Sequence, residues 1–405
     1  MERRSLDLKP GEVVTLYDGD ASVGKPNSSL SPCRLLVTFD WLAGTHLRFD
    51  CVSDPAPLLG SSAQIDVDGT AIAVLVNSPT TAVLPGRTIV GDPESAIDEI
   101  EFQVCNFPPY LSSADPLEFR CGGWRVQLRQ HRDARDRVDV IRNRGGGAVT
   151  HVGVLTDTSA STFSWNEAES ILSGFAHFLD WAASDRVPLL GERGVRDNEV
   201  VVQAWGDPKR HIGRSSIRWL SSNHPHVMQS MWLHFADYWQ ETDWRSVLTL
   251  TSELYADSHH SAPLELRTVT AWLALESFSW QWLTKNLHLD PFYIDDKHAD
   301  WRIRKMLGSM AIPTDIPDTL SRLRGHSQGQ DGPKTLALLR NDIVHPKEGQ
   351  DLLQLDGVIK QEAWRLTTWY LELALLRACG SVGPYIDRTQ ALPINNAIVV
   401  DPPWV

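Results

Sequence analysis

The sequence predicts an α+β chain in which strands and helices are segregated. A β-rich N-terminal module, an antiparallel sandwich or barrel, precedes a helical connecting region and a C-terminal helical bundle. Three observations predict it. Up to about residue 160, short β-branched or alternating runs are separated by Gly, Pro, Asp and Ser clusters. From about His224 to Cys379 the spacing of apolar residues is helical. The 405 residues leave room for two or three domains.

Taken in order, EVVTLYDG, CRLLVTFD, THLRFDCV, AQIDVDGTAIAVLV, TAVLPGRTIV and IDEIEFQVCNF read as strands. Residues 163–184 shift to helical spacing, with Ser164 or Asn166 available as a cap. RVPLLGERGVRDNEVVVQAW returns to β character. The helical part breaks near 257–262, 289–297 and 325–333, the last a Gly- and Gln-rich loop closed by Pro333. The tail after Gly380 is punctuated by proline and is expected to wrap the surface. These breaks divide the chain into 1–205 (a sensor or regulatory module), 206–260 (a helical connection), 261–380 (a helical bundle) and 381–405 (a tail).

Composition narrows the function. The hydrophobic fraction of 42% and charged fraction of 22% are those of an ordinary globular chain. MERRSLDLKPGE has no apolar run behind its arginines, so no secretory signal is expected, and no membrane-length apolar stretch follows. Five scattered cysteines without a CxxC pair argue against a disulfide framework and a structural zinc site, which makes the cytoplasm the expected compartment. The formal charge of −13 repels phosphate on average, so any contact with RNA needs a local basic patch. Nine of the sixteen tryptophans fall between Trp205 and Trp301, which reads as aromatic core and interface packing.

The chemistry concentrates near the end of the helical part. After Pro263, Leu266, Val269, Leu273, Trp280, Leu283 and Leu287 recur in three- and four-residue steps, with Glu276 at the centre of the stripe. A carboxylate on a buried seam demands a cationic or donor partner. The partner expected from the sequence is Arg340, on the helix PKTLALLRNDIVHP (333–346), whose apolar stripe is Leu336, Leu339 and Ile343. Pro346 ends that helix at or just before His345. Asn341 and His345 share a face, whereas Arg340 and His345 are separated by about 140° on an ideal helix. Arginine is a fork-shaped donor for phosphate oxygens and histidine the usual proton-transfer group at neutral pH. No cluster at metal-ligand spacing accompanies them, so nuclease chemistry here is expected to need neither metal nor cofactor.

RNDIVH, an arginine followed by a polar residue with histidine five positions after it, resembles the motif of the HEPN ribonuclease superfamily. It looks most like the ApeA-type HEPN proteins of bacterial defence, over residues 260–380; over 1–205 the likeness is architectural. The resemblance implies a helical bundle that dimerises and brings two RxxxxH motifs to one cleft. It implies metal-independent cleavage of single-stranded or looped RNA, such as a transfer RNA loop, by 2′-hydroxyl attack leaving a 2′,3′-cyclic phosphate. His345 would then transfer protons, Arg340 stabilise the phosphorane, Asn341 position the phosphate or the histidine, and Glu276 hold Arg340. The N-terminal module would sense a phage or regulatory trigger. The alternative is a non-catalytic HEPN dimerisation or binding module with a ligand-sensing β domain.

Other features are weaker. Eight arginines face three aspartates between Arg120 and Arg144, a local reversal of charge. Alternating arginines on a strand would put a basic stripe on one face, and Arg125, Arg129 and Arg132, with Lys347, are the candidate RNA contacts. A solvated ribbon of Asp–Arg pairs is the competing reading. Gly145–Gly147 read as a hairpin turn rather than a phosphate loop. The histidines of HPHVMQSMWLH and His259–His260 lack carboxylates at ligand spacing, and Met228 and Met231 read as core.

Overall fold

A computed structural model describes residues 6–51, 62–78, 80–110, 116–206, 208–211, 218–260, 263–345, 356–390 and 398–405. The fold is α+β, with β structure first and helices after it. It divides into two units. One comprises Met1–Pro109, Ser113–Ser173 and Val187–Ser215, and the other Tyr110–Ser112, Gly174–Arg186 and Ser216–Val405. Of the stretches set apart in the sequence reading, 381–405 and the part of 206–260 from Ser216 on are counted with the helical unit, and 206–215 with the first.

The first unit begins with β1 (Val13–Gly24), β2 (Ser31–Asp40), β3 (Gly44–Cys51), β4 (Ser62–Val67), β5 (Thr70–Ser78) and β6 (Thr81–Val83). They form a closed barrel in the order β1-β2-β3-β6-β5-β4, sealed where Val23 pairs with Ile65. Alternate residues point inward: Leu35 and Val37, Leu47 and Phe49, Ile65 and Val67, and Ile72 and Val74 fill the interior. The β4–β5 connection is Asp68-Gly69, both at positive φ (51° and 83°), the backbone a two-residue hairpin needs.

A seven-stranded antiparallel sheet follows, built from β7 (Thr88–Gly91), β8 (Glu99–Cys105), β9 (Leu117–Cys121), β10 (Trp124–Gln130), β11 (Val149–Asp157), β12 (Leu189–Arg196) and β13 (Glu199–Trp205). Its order is β7-β13-β12-β8-β11-β10-β9. Between β10 and β11 lies α1 (Ala134–Arg144), so the arginine-rich stretch is only partly strand. Ala134, Arg137, Val138 and Ile141 form the buried face of α1. Arg137 occupies a core position because Asp7 neutralises it and the Val149 carbonyl accepts from Nη1 at 2.8 Å. Gly145, at φ 74°, caps α1 and is not a hairpin turn. Next comes α2 (Trp165–Ala183), opened by a reciprocal capping box. Ser164 N–H donates to Glu167 Oε2 at 2.6 Å and Glu167 N–H to Ser164 Oγ at 3.3 Å.

The helical unit contains α3 (His226–Gln240), α4 (Thr242–Asp257), α5 (Leu264–Lys285), α6 (Pro291–Asp295), α7 (Ala299–Ser309), α8 (Ser321–His326), α9 (Gly332–Val344) and α10 (Gly357–Ala378). Helix α10 is buried on nearly all sides from Glu362 to Leu376, as befits the centre of a bundle. Trp181, Trp219, Trp232, Trp244 and Trp272 are fully buried, and so are Met228 and Met231. No helix among the described residues is long and apolar enough to cross a membrane.

Two expectations need correction. Most of the apolar stripe assigned to α5 is not its buried face, since Leu266 is 54% and Leu273 39% exposed, although Leu283 is fully buried. The buried arc contains Thr268, Ala271, Trp272, Leu275, Phe278 and Ser279, in which small residues let neighbouring helices approach closely. Glu276 thus sits at the edge of the seam, half-buried, rather than at its centre. The tail, moreover, does not simply wrap the surface. Tyr385 to Thr389 are buried, and Tyr385–Ile386 pairs with Val399–Val400. Arg388 reaches Glu372 of α10 with Nε at 2.8 Å and Nη2 at 2.5 Å. Tyr255 donates to the same carboxylate and meets Ser184 Oγ at 2.7 Å. Burial is the largest influence on Glu372 and raises its pKa, against the opposing pull of Arg388.

Candidate functional site

Three helices, α5, α7 and α9, frame a cleft of about 370 Å³. Helix α9 starts where Asp331 accepts from Lys334 N–H at 3.0 Å, with Pro333 in its first turn. Asp331 is itself held by both Arg304 Nε at 2.5 Å and Nη2 at 2.9 Å. Burial works to raise its pKa, yet the hydrogen bonds from Arg304 and from Lys334 N–H hold it below the usual carboxylate value. This clamp fixes the start of α9, and with it the direction in which Lys334, Arg340 and Asn341 project.

Glu276, Arg340 and Asn341 all line the cleft, so the fold brings together three of the four residues singled out in the sequence. Their pairing differs from expectation. Glu276 does not hold Arg340; its Oε1 accepts from Arg302 Nη2 at 2.5 Å and its Oε2 from Trp272 Nε1 at 3.1 Å. Arg340 Nη1 instead donates to Asn341 Oδ1 at 3.1 Å. Among the described residues no carboxylate lies within ion-pair distance of Arg340, and its buried Nε has no hydrogen-bond partner. The sequence offered two arginines to one acid, and α7 lies closer to the Glu276 carboxylate.

His345 is exposed and caps α9, its N–H donating to the Asn341 carbonyl at 2.8 Å. It does not line the cleft wall that holds Arg340. The helix therefore ends where Pro346 dictates, with the histidine outside the arginine's immediate surroundings.

The other candidates lie in the first unit. Arg125 and Arg129 share one face of β10, as the alternation implied. Arg125 Nε donates to Thr156 Oγ1 at 3.2 Å, Arg129 is exposed, and Arg132 is 89% exposed beside Asp133. Lys347 lies outside the described residues. Sequence reasoning missed Lys297, His298, Asp300, Arg302 and Lys334, all of which line the cleft. The signal available was KHADWRIRK (297–305), a cation-rich run inside an acidic chain. His260 also has a carboxylate that spacing did not reveal, with its Nε2 2.6 Å from Asp185 Oδ1.

Residues 241–398, which include the cleft, match the family model described as the YopA C-terminal domain. Residues 92–215 match that of the YopA central domain. Both regions resemble YopA. Across more of the chain, the protein is similar to the SPbeta prophage-derived uncharacterized protein YopA of Bacillus subtilis (strain 168). Identity is 25% over 334 residues, covering 78% of this chain and 74% of that relative. No solved structure matches. The YopA-like regions take in most of the seven-stranded sheet and the helices from α4 onward, and leave the barrel outside both. None of these descriptions names a HEPN domain or a chemical activity.

Proposed function

We propose that the chain is a metal-independent endoribonuclease of the HEPN class, acting as a homodimer in antiphage defence or growth arrest. The observation that supports it is Arg340, a guanidinium with no carboxylate counterion among the described residues and with a buried, unpartnered Nε, on the wall of a cleft and five residues before an exposed histidine. A charge left uncompensated at a cleft favours an anion that arrives from outside. Arg340 would take a phosphate oxygen and stabilise charge developing at phosphorus, while His345 moves the proton of the attacking 2′-hydroxyl. Because His345 lies outside Arg340's cleft wall, the reading requires a second copy to supply the histidine. The prophage origin in the relative's name agrees with a role in conflict between phage and host.

The same separation of His345 from Arg340 favours a second reading, a binding module without catalysis. One experiment divides the two. Purified protein is incubated with total RNA in EDTA and the products are examined for 2′,3′-cyclic phosphate ends. Cleavage that His345→Ala abolishes supports the ribonuclease; cleavage retained by that variant, or none by the parent, removes it.

A further inference from the structure

The cleft between α5, α7 and α9 is more basic than its surroundings require. Lys297, Arg302, Lys334 and Arg340 bring four positive charges to it, and Glu276 and Asp300 only two negative ones, in a chain of net charge −13. Asp300 is shared, lying 3.5 Å from Arg304 and 3.9 Å from Lys334, so little of its charge is left for Lys334. Arg302 resembles Arg340 in one respect, for its Nε is also buried without a hydrogen-bond partner. Both arginines line the cavity, and each keeps a buried Nε without an acceptor, which is costly for a donor removed from water. Glu276 satisfies only part of Arg302, through a single Nη2 contact, and its other oxygen is held by Trp272.

We propose that this cleft is a phosphate-binding site complete within one copy of the chain, in which Arg302 and Lys334 join Arg340 and Glu276 is the resident anion that the ligand displaces from Arg302. The inference deepens the ribonuclease reading and rests on it for the identity of the ligand as a nucleic-acid phosphate. The surplus of positive charge suits a terminal phosphate dianion or two consecutive backbone phosphodiesters. Arginine supplies bidentate geometry for such oxygens and lysine a point charge. The volume exceeds that of one phosphate and accommodates the attached sugar.

The test uses the full chain in EDTA with two trideoxynucleotides, one bearing a 5′-phosphate and one with 5′-hydroxyl and only its internal phosphates. Neither carries a 2′-hydroxyl, so binding is measured apart from cleavage. Isothermal titration is expected to give one ligand per copy at all protein concentrations. Tighter binding of the phosphorylated probe assigns the terminal dianion, and equal binding assigns the backbone. Arg302→Met, Lys334→Met and Arg340→Met should each weaken binding by about tenfold or more. Lys334 is half-exposed, so its variant remains informative if an arginine variant fails to fold. Glu276→Gln should strengthen binding severalfold, because the competing carboxylate is gone; a purely structural Glu276–Arg302 bridge would leave affinity unchanged or lower it. Absence of binding by both probes, unaltered affinity in Arg302→Met, or binding only by a dimer overturns the proposal. Probe binding by a chain that leaves RNA intact keeps this site and removes the ribonuclease, whereas RNA cleavage without probe binding does the reverse.

Discussion

Replacing Glu372 by glutamine keeps the shape of the side chain and removes its charge. Arg388 would then be a fully buried guanidinium that has lost the charge of Glu372, with Tyr255 and Ser184 as neutral neighbours. Breaking one half of a buried pair costs about 3–5 kcal/mol, because the remaining charge has lost its water and its partner. With a urea slope of about 2 kcal/mol per molar, the midpoint of the helical unit should fall by roughly 2 M. Tryptophan fluorescence reads this directly, since Trp181, Trp219 and Trp232 are buried in that unit. Its transition is fitted apart from that of the β unit, as two units need not unfold together. The double variant Glu372→Met/Arg388→Met should recover most of the loss, since apolar replacement of a whole buried pair is close to neutral. A midpoint for Glu372→Gln within about 0.3 M of the parent would refute the reasoning, which corresponds to less than about 1 kcal/mol.

Three further outcomes are expected. Burial lowers the pKa of His151 to about 3, so the unfolded chain binds its proton first as the pH drops. Stability is full above about pH 6.5 and declines between there and pH 3, by about 2 kcal/mol at pH 5; His151→Leu should flatten that dependence in thermal melts. Burial pushes the thiols of Cys33 and Cys105 up to about 12, so native protein at pH 8 should react slowly with a disulfide reagent, and rapid labelling of either would contradict the barrel and sheet packing. Gly91 has φ 94° and its Cβ would stand 2.3 Å from the Val201 carbonyl oxygen, so Gly91→Ala should cost at least about 1–3 kcal/mol in urea unfolding.

Much of the β region was legible because one residue in two is apolar along β2, β4 and β5 and Asp68-Gly69 marks a turn. Barrel closure was not, since the β1–β4 pairing joins residues about 40 positions apart and leaves no local trace. Helix α1 escaped notice because Arg137 fills a position where an apolar residue would have completed the helical stripe. In the cleft, the end of α9 followed from Pro346, and Arg340 and Asn341 followed from polar interruptions of an aliphatic run. The Glu276 partner did not follow, because charge alone cannot choose between Arg302 and Arg340. The small residues on the buried arc of α5 carry little hydrophobic signal, which is why Leu266 and Leu273 misled.

The embedded tail has a consequence for how the chain is made. Glu372 precedes its counterion by 16 positions. At about 5–20 residues per second, a ribosome extends the chain from one to the other in roughly 1–3 s. Until Arg388 has been added and has emerged, Glu372 lacks the cation that faces it, and the bundle around it is without that pair. The core around α10 is thereby completed by residues translated after the helix itself.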